Sequence, residues 1–165
     1  MNDPLLRVIF LHGLESSPRG DKARYLAARF EALTPAMDTS DFAACVALAA
    51  ESIASHEPHV VVGSSFGGAV AMAVLQQKLW RGPTLLLAPA GKKLGLDNVL
   101  PPGVPVTIVH GRHDAVVPPA DSLALAATGD PVIVKLLEVD DEHRLASLIA
   151  GERLAELVHE IHTQR

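Results

Sequence analysis

Cysteine is nearly missing from this 165-residue chain: Cys45 stands alone. That excludes an intramolecular disulfide, fits a reducing compartment such as the cytoplasm, and leaves Cys45 the role of a small core filler. Long apolar runs are missing too, since no stretch reaches the ~18 residues that a membrane span requires. The early run Val8-Ile9-Phe10-Leu11 is too short for a secretory signal and leads straight into a polar segment, so neither export nor a membrane span is expected. Basic charge is in deficit, with 14 Lys and Arg against 19 Asp and Glu and a net charge of −5. The cations are scattered rather than clustered, which argues against a nucleic-acid partner. There is no Gly-x-x-x-x-Gly-Lys phosphate loop, no Gly-x-Gly-x-x-Gly dinucleotide fingerprint, no repeat and no low-complexity tract. Residues 1–165 are therefore read as a single domain, 48% hydrophobic and 20% charged. A chain of this length buries about 70% of the surface its unfolded form exposes, and needs no metal or disulfide for stability.

What is present alternates. Residues 7–11 read as a buried strand, closed by His12-Gly13 and the turn-rich Ser16-Ser17-Pro18-Arg19-Gly20. A helix capped by Asp21 is expected over residues 22–33, because Leu26, Phe30 and Leu33 recur at helical spacing and Pro35 follows. Residues 34–38 have room only for a very short strand. A second helix, capped by Thr39 or Ser40, carries Phe42, Val46, Ala49 and Ile53 as one stripe before Pro58. Further strands are expected at 60–62, 84–88, 104–109 and 131–137. Helices are expected after Ser65, from Pro118-Pro119 to Ala127, and over 152–162, the last with Leu154, Leu157, Val158 and Ile161 on one face. Residues 89–103 are the longest irregular segment. Such alternation implies an α/β fold, a mostly parallel sheet with helices on both faces.

Chemistry concentrates where an apolar strand meets Gly63-Ser64-Ser65-Phe66-Gly67 and an alanine-rich helix. Gly-x-Ser-x-Gly at a strand-to-helix turn is the pattern of a nucleophile elbow, in which small neighbours let backbones approach while the serine hydroxyl projects outward. A plain glycine-rich connection would be spelled the same way. Context favours Ser65 as nucleophile, because an acid and a histidine follow in the order Ser, acid, His. Asp114, in Val109-His110-Gly111-Arg112-His113-Asp114, lies on a loop beyond a strand end, where α/β sheets bind ligands. It could orient a histidine through Nδ1 or simply cap its turn. Asp97, on the long loop, is the alternative orienting acid.

His143 follows the last strand and is the expected general base. His113 competes because it adjoins Asp114, but neighbours in one turn rarely reach the required geometry. His12 and His110 lie at strand ends near the site, while His56, His59, His159 and His162 read as surface or structural. Asp140 and Asp141 read as solvated loop charges. The pairs His56/His59, His110/His113 and His159/His162 lack a third ligand, so no metal and no other cofactor is expected. The loop after the first strand should supply half of an oxyanion hole. Its donors would be the amides of Leu14 and Phe66, the latter helped by a helix N-terminus. His12, Gly13 and Ser64 flank them as expected substrate contacts.

With His12-Gly13 through Ser16-Ser17-Pro18 and Gly63-Ser64-Ser65-Phe66-Gly67-Gly68, the chain resembles the α/β-hydrolases, and within them small esterase-like members such as the YqiA-like group. The resemblance runs from about Arg7 to His143. It implies hydrolysis of an ester or thioester through an acyl-serine intermediate. The chain leaves no room for a helical cap before the acid, and the segment after Leu33 is abbreviated. That implies an open site for small or surface-presented esters, with Leu14, Phe66 and residues 91–100 as acyl contacts. The rival reading is a non-catalytic hydrolase-fold protein that binds a small molecule or a partner.

Overall fold

The computed structural model describes residues 4–164. Six strands, β1 (Arg7–Leu11), β2 (Glu31–Leu33), β3 (Val60–Ser64), β4 (Thr84–Leu87), β5 (Val106–Gly111) and β6 (Val134–Val139), form one sheet. Their order is β2-β1-β3-β4-β5-β6 and every pairing is parallel. The central strands read as unbroken apolar runs because both of their faces are covered. Along β1, Ile9 and Leu11 turn to one face while Val8 and Phe10 turn to the other. The first face packs against α2 (Phe42–His56), α3 (Phe66–Gln76) and α4 (Pro119–Ala127). The second packs against α1 (Asp21–Ala27), α5 (Ser147–Ala150) and α6 (Arg153–Thr163). Cys45 lies in the first core, 1% exposed.

The expected helix over residues 22–33 is the largest departure. It stops at Ala27, and Glu31–Leu33 form an edge strand beside β1, starting where the Glu31 amide donates to the Leu6 carbonyl. The open edge of β1 captured a segment whose apolar spacing fitted a helix equally well, an override of local pattern by tertiary pairing. Asp21 is not the cap of α1; Gly20 occupies that position and Asp21 pairs with Arg24 in the first turn. The cap of α2 is Asp41, whose carboxylate accepts from the Ala44 amide at 3.0 Å, rather than Thr39 or Ser40. No strand forms over residues 34–38. β6 starts three residues later than expected because Asp130 closes a turn through its carbonyl to Ile133 and Val134. The short α5 was not foreseen. Between β4 and β5 there is only a single 3-10 turn, Lys92–Leu94.

Parallel strands put all their C-terminal ends on one edge of the sheet. β1 therefore delivers His12 to Leu14, β3 delivers Ser65, β5 delivers Asp114 and β6 delivers His143 to the same rim.

Candidate active site

Ser65 sits at the junction of β3 and α3 with φ 55° and ψ −113°. A side chain in that region costs on the order of 1–3 kcal/mol, so the surroundings must enforce it. They do so through the backbone: the Ser65 amide donates to Leu87 at 2.9 Å, and its carbonyl accepts from Ala69 and Ala90 at 3.1 and 3.0 Å. Gly67 is needed for contact, since a Cβ there would overlap the Leu11 carbonyl, and one on Gly68 would lie 2.8 Å from Pro89 Cα. The start of α3 is thereby wedged between the ends of β1 and β4. Phe66 closes the inner side, edge-on to Phe42 with ring centroids 5.7 Å apart.

The structure brings Ser65, His143 and Asp114 together. His143 Nε2 lies 2.9 Å from Ser65 Oγ and its Nδ1 lies 2.7 Å from Asp114 Oδ2. A carboxylate can only accept, so Nδ1 carries the imidazole proton and Nε2 is left as the acceptor for the serine hydroxyl. The Asp114 side chain is wholly buried, whereas that of His143 is 20% exposed. Burial pushes the Asp114 carboxyl up. Hydrogen bonds from His143, Val117 and Val116 outweigh it, and the group ends below the ordinary carboxylate range.

The rivals separate cleanly. His113 is exposed and pairs with Asp140 at 2.7 Å, away from Asp114. Asp97 is exposed, with its carbonyl held by Gln76 at 2.7 Å, and it does not contact His143.

At the end of β1, His12 is 3% exposed and both ring nitrogens are engaged: Nδ1 meets the Gly13 carbonyl at 2.9 Å and Nε2 accepts from the Met37 amide at 3.2 Å. Both ring nitrogens are taken up within the protein, so the imidazole ties the end of β1 to Gly13 and Met37. Gly13 packs against Ser65, with its Cβ position 3.5 Å from Ser65 Cβ. Ser64 is half-buried at the end of β3. Leu14 projects, 60% exposed. Among the described residues neither the Leu14 nor the Phe66 amide has a backbone acceptor.

The loop bearing His143 holds what sequence reasoning missed. Asp141 is no solvated charge: its carboxylate accepts from the Glu142 amide at 2.8 Å and from the Ser147 amide and hydroxyl at 2.9 and 2.6 Å. Lys22, on α1, donates to the Arg144 carbonyl at 2.6 Å, across 122 residues. A Cβ on Gly111 would overlap the Asp141 carbonyl, so the ends of β5 and β6 meet here. His110 is fully buried against Asp114. Its position four residues before Asp114 was the available signal; for Lys22 there was none.

Among the described residues no group of three His, Cys, Asp or Glu is placed to hold a metal, and no helix is long and apolar enough to cross a membrane.

A parallel sheet covered on both faces, with a strained serine at the β3–α3 turn and a histidine and an acid beyond later strands, defines the α/β-hydrolase fold. A protein from Xanthomonas campestris assigned to the α/β superfamily of hydrolases superposes with TM-score 0.75 at 26% identity, over 96% of this chain and 99% of its own. The chain belongs to UPF0227, an uncharacterised protein family, whose sequence model matches residues 7–94, just over half of its length. A monoacylglycerol lipase from Paleococcus ferrophilus gives TM-score 0.75 at 13% identity, over 96% of this chain and 95% of the lipase. A meta-cleavage product hydrolase from Pseudomonas fluorescens gives 0.72 at 15%, over 95% and 92%. At those identities the likeness is one of fold. No curated protein matches the chain.

Proposed function

We propose that this protein is a serine hydrolase that cleaves a small carboxylic ester or thioester through an acyl-serine intermediate. The observation that carries the reading is the unbroken contact from Ser65 Oγ through His143 to Asp114, at 2.9 and 2.7 Å. As Ser65 Oγ attacks the carbonyl carbon, its proton passes to His143 Nε2, and Asp114 stabilises the resulting imidazolium. His143 then returns that proton to the leaving alcohol or thiol. Water repeats the cycle on the acyl-enzyme, yielding the acid and free Ser65.

The developing oxyanion would be held by the Leu14 and Phe66 amides, the second at the N-terminus of α3. His12 supports the first indirectly. The Gly13 carbonyl and the Leu14 amide belong to one trans peptide and point in opposite directions. By donating Nδ1–H to that carbonyl, His12 turns the Leu14 N–H away from itself. Losing one such oxyanion donor raises the barrier by ~3 kcal/mol. The short connection between β4 and β5 carries no cap, in keeping with an open site for small or surface-presented acyl groups.

The test is covalent labelling with a fluorophosphonate, read by intact-protein mass, on the parent chain, Ser65→Ala and His143→Ala. A single adduct on the parent, absent from Ser65→Ala and slowed ~10³-fold or more in His143→Ala, is expected. No adduct on the parent, with the probe proven active on another hydrolase, would overturn the assignment in favour of a non-catalytic binder. Turnover retained by Ser65→Ala would exclude Ser65 as the nucleophile.

A further inference from the structure

Among the described residues six that are not glycine have positive φ: Glu57, Ser65, Lys78, Ala88, Leu145 and Glu152. Glu57, Lys78 and Glu152 are exposed and follow α2, α3 and α5, where a left-handed residue is the ordinary way to end a helix. Ser65, Ala88 and Leu145 instead stand on the rim of the site, beyond β3, β4 and β6. Leu145 is the bulkiest of the three, at φ 52° and 0% exposed. A left-handed backbone is costly for a side chain of that size, and residues held so cluster at functional sites. Glycine would take this backbone freely but would leave nothing in the core. Leucine tolerates it because its side chain is removed from water.

The Leu145 amide donates to the Glu142 carbonyl at 3.1 Å, closing a turn with His143 and Arg144 at its centre. That turn sends two side chains to opposite places: His143 reaches Ser65 and Asp114 on the rim, and Leu145 enters the core beneath α1, α5 and α6. Leu148, 2% exposed in the same core, donates its amide to the Leu145 carbonyl at 3.1 Å. The other restraints act elsewhere, since Asp141 binds the Glu142 and Ser147 amides and Lys22 holds the Arg144 carbonyl. His143 itself makes no backbone hydrogen bond among the described residues. The direction of its ring therefore follows the rotation of the turn.

We propose that Leu145 is a positioning residue for the base, its buried side chain holding the turn of residues 142–145 in the rotation that faces His143 Nε2 toward Ser65 Oγ. This rests on the serine-hydrolase reading for its kinetic consequence, though not for its geometry. Asp141 and Lys22 fix the ends of the segment and one carbonyl; Leu145 stops the turn from rolling between them. A displacement of about 1 Å at a reacting group can cost ~100-fold in rate, so an anchor two residues from the base is close enough to decide it.

The experiment compares fluorophosphonate labelling of the parent, Leu145→Ala, Leu145→Gly and Leu145→Met, with the Nδ1–H proton resonance of His143 as a readout independent of activity. In the folded Ala and Gly variants the rate at saturating probe should fall ~10- to 100-fold with the half-saturating concentration unchanged, and the His143 resonance should broaden or vanish. Leu145→Gly should be at least as stable as Leu145→Ala, because glycine takes φ 52° without penalty, yet no faster. Leu145→Met refills the core on a flexible stem and should restore most of the rate and the resonance. A folded Ala or Gly variant with the parental rate and resonance would overturn the proposal and leave Leu145 a packing residue. If neither folds, Leu145→Met decides: parental stability with the resonance lost overturns the proposal, and rate and resonance both kept uphold it. A parent that takes no label, but whose resonance is lost in the folded Ala and Gly variants, would sink the hydrolase reading and leave Leu145 as the anchor of His143.

Discussion

Two loops on the same rim are built by opposite means. The turn after β3 that carries Ser65 is enforced locally, by three glycines, the start of α3 and backbone bonds to the adjoining strand end. The loop after β6 that carries His143 has no such scaffold. It is held by the Asp141 carboxylate, by Lys22 from α1 and by contact with Gly111. A strained residue needs rigid, short-range support, since each small displacement releases the strain. In the proposed mechanism His143 accepts and returns a proton every cycle, and needs only its ring fixed at both nitrogens. The comparison predicts that the first loop fails as a fold and the second as a catalyst.

Gly67→Ala should have the largest effect. Its Cβ would meet the backbone of Leu11, which cannot swing aside as a flexible side chain could. Loss of ~3 kcal/mol or more is expected, read as a lower chemical-denaturation midpoint. A variant within 1 kcal/mol of the parent would mean that the elbow is pliable and that the contrast between the loops is false.

Asp141→Ala should leave a folded protein with a rate ~10- to 100-fold lower, as the base loses its alignment. Burial pushes the Asp141 carboxyl up, but the Ser147 hydroxyl and amide and the Glu142 amide outweigh it, so the group ends below the ordinary range. A carboxyl with a lowered folded value stabilises the protein above the unfolded value of ~3.9, and that increment fades as pH falls through the folded value. The stability difference between parent and variant should therefore be present at neutral pH and vanish in acid. A difference that persists in acid would assign the loss to packing.

Ser65→Gly against Ser65→Ala gives a smaller, purely thermodynamic test. In ordinary helix or strand positions Ala is the more stable of the two, whereas at φ 55° Gly should win by ~1 kcal/mol. Both variants should be inactive. Equal midpoints would mean that Ser65 carries no strain.

The difference between the loops also explains what could be read from the chain. The elbow is legible because it is local: glycines at fixed offsets, a preceding apolar strand and a following alanine-rich helix. Asp114 and His143 are legible as positions beyond strands, but their meeting is a product of parallel topology. Asp141 looks like a solvated charge in Glu138-Val139-Asp140-Asp141-Glu142, because Ser147, which donates to it twice, lies six residues further along the chain. His12 is legible only as a residue at a strand end on that same rim. Only the folded chain places the Met37 amide against its second nitrogen. Residues 31–33 misled for the same reason, since an edge strand is defined by the partner it finds.

Lys22→Met should have the smallest effect and the sharpest meaning. Burial pushes the Lys22 ammonium down, while Asp21 and Asp141 pull it back up only in part. A cation whose folded value lies below the unfolded ~10.4 is held charged at some expense to the fold, and stability rises with pH between the two values as the folded state sheds its proton first. Met has a similar reach and no charge to bury, so stability at neutral pH should change by less than about 0.5 kcal/mol, and the alkaline rise should flatten. Its lost hydrogen bond to the Arg144 carbonyl lies next to the base, so labelling should still slow a few-fold. Slower labelling without destabilisation would mean that the ammonium serves the placement of His143. The reverse, a lower midpoint with unchanged labelling, would mean that packing of Leu145 and Leu148 alone fixes the loop, and that the two sides of the site are built alike.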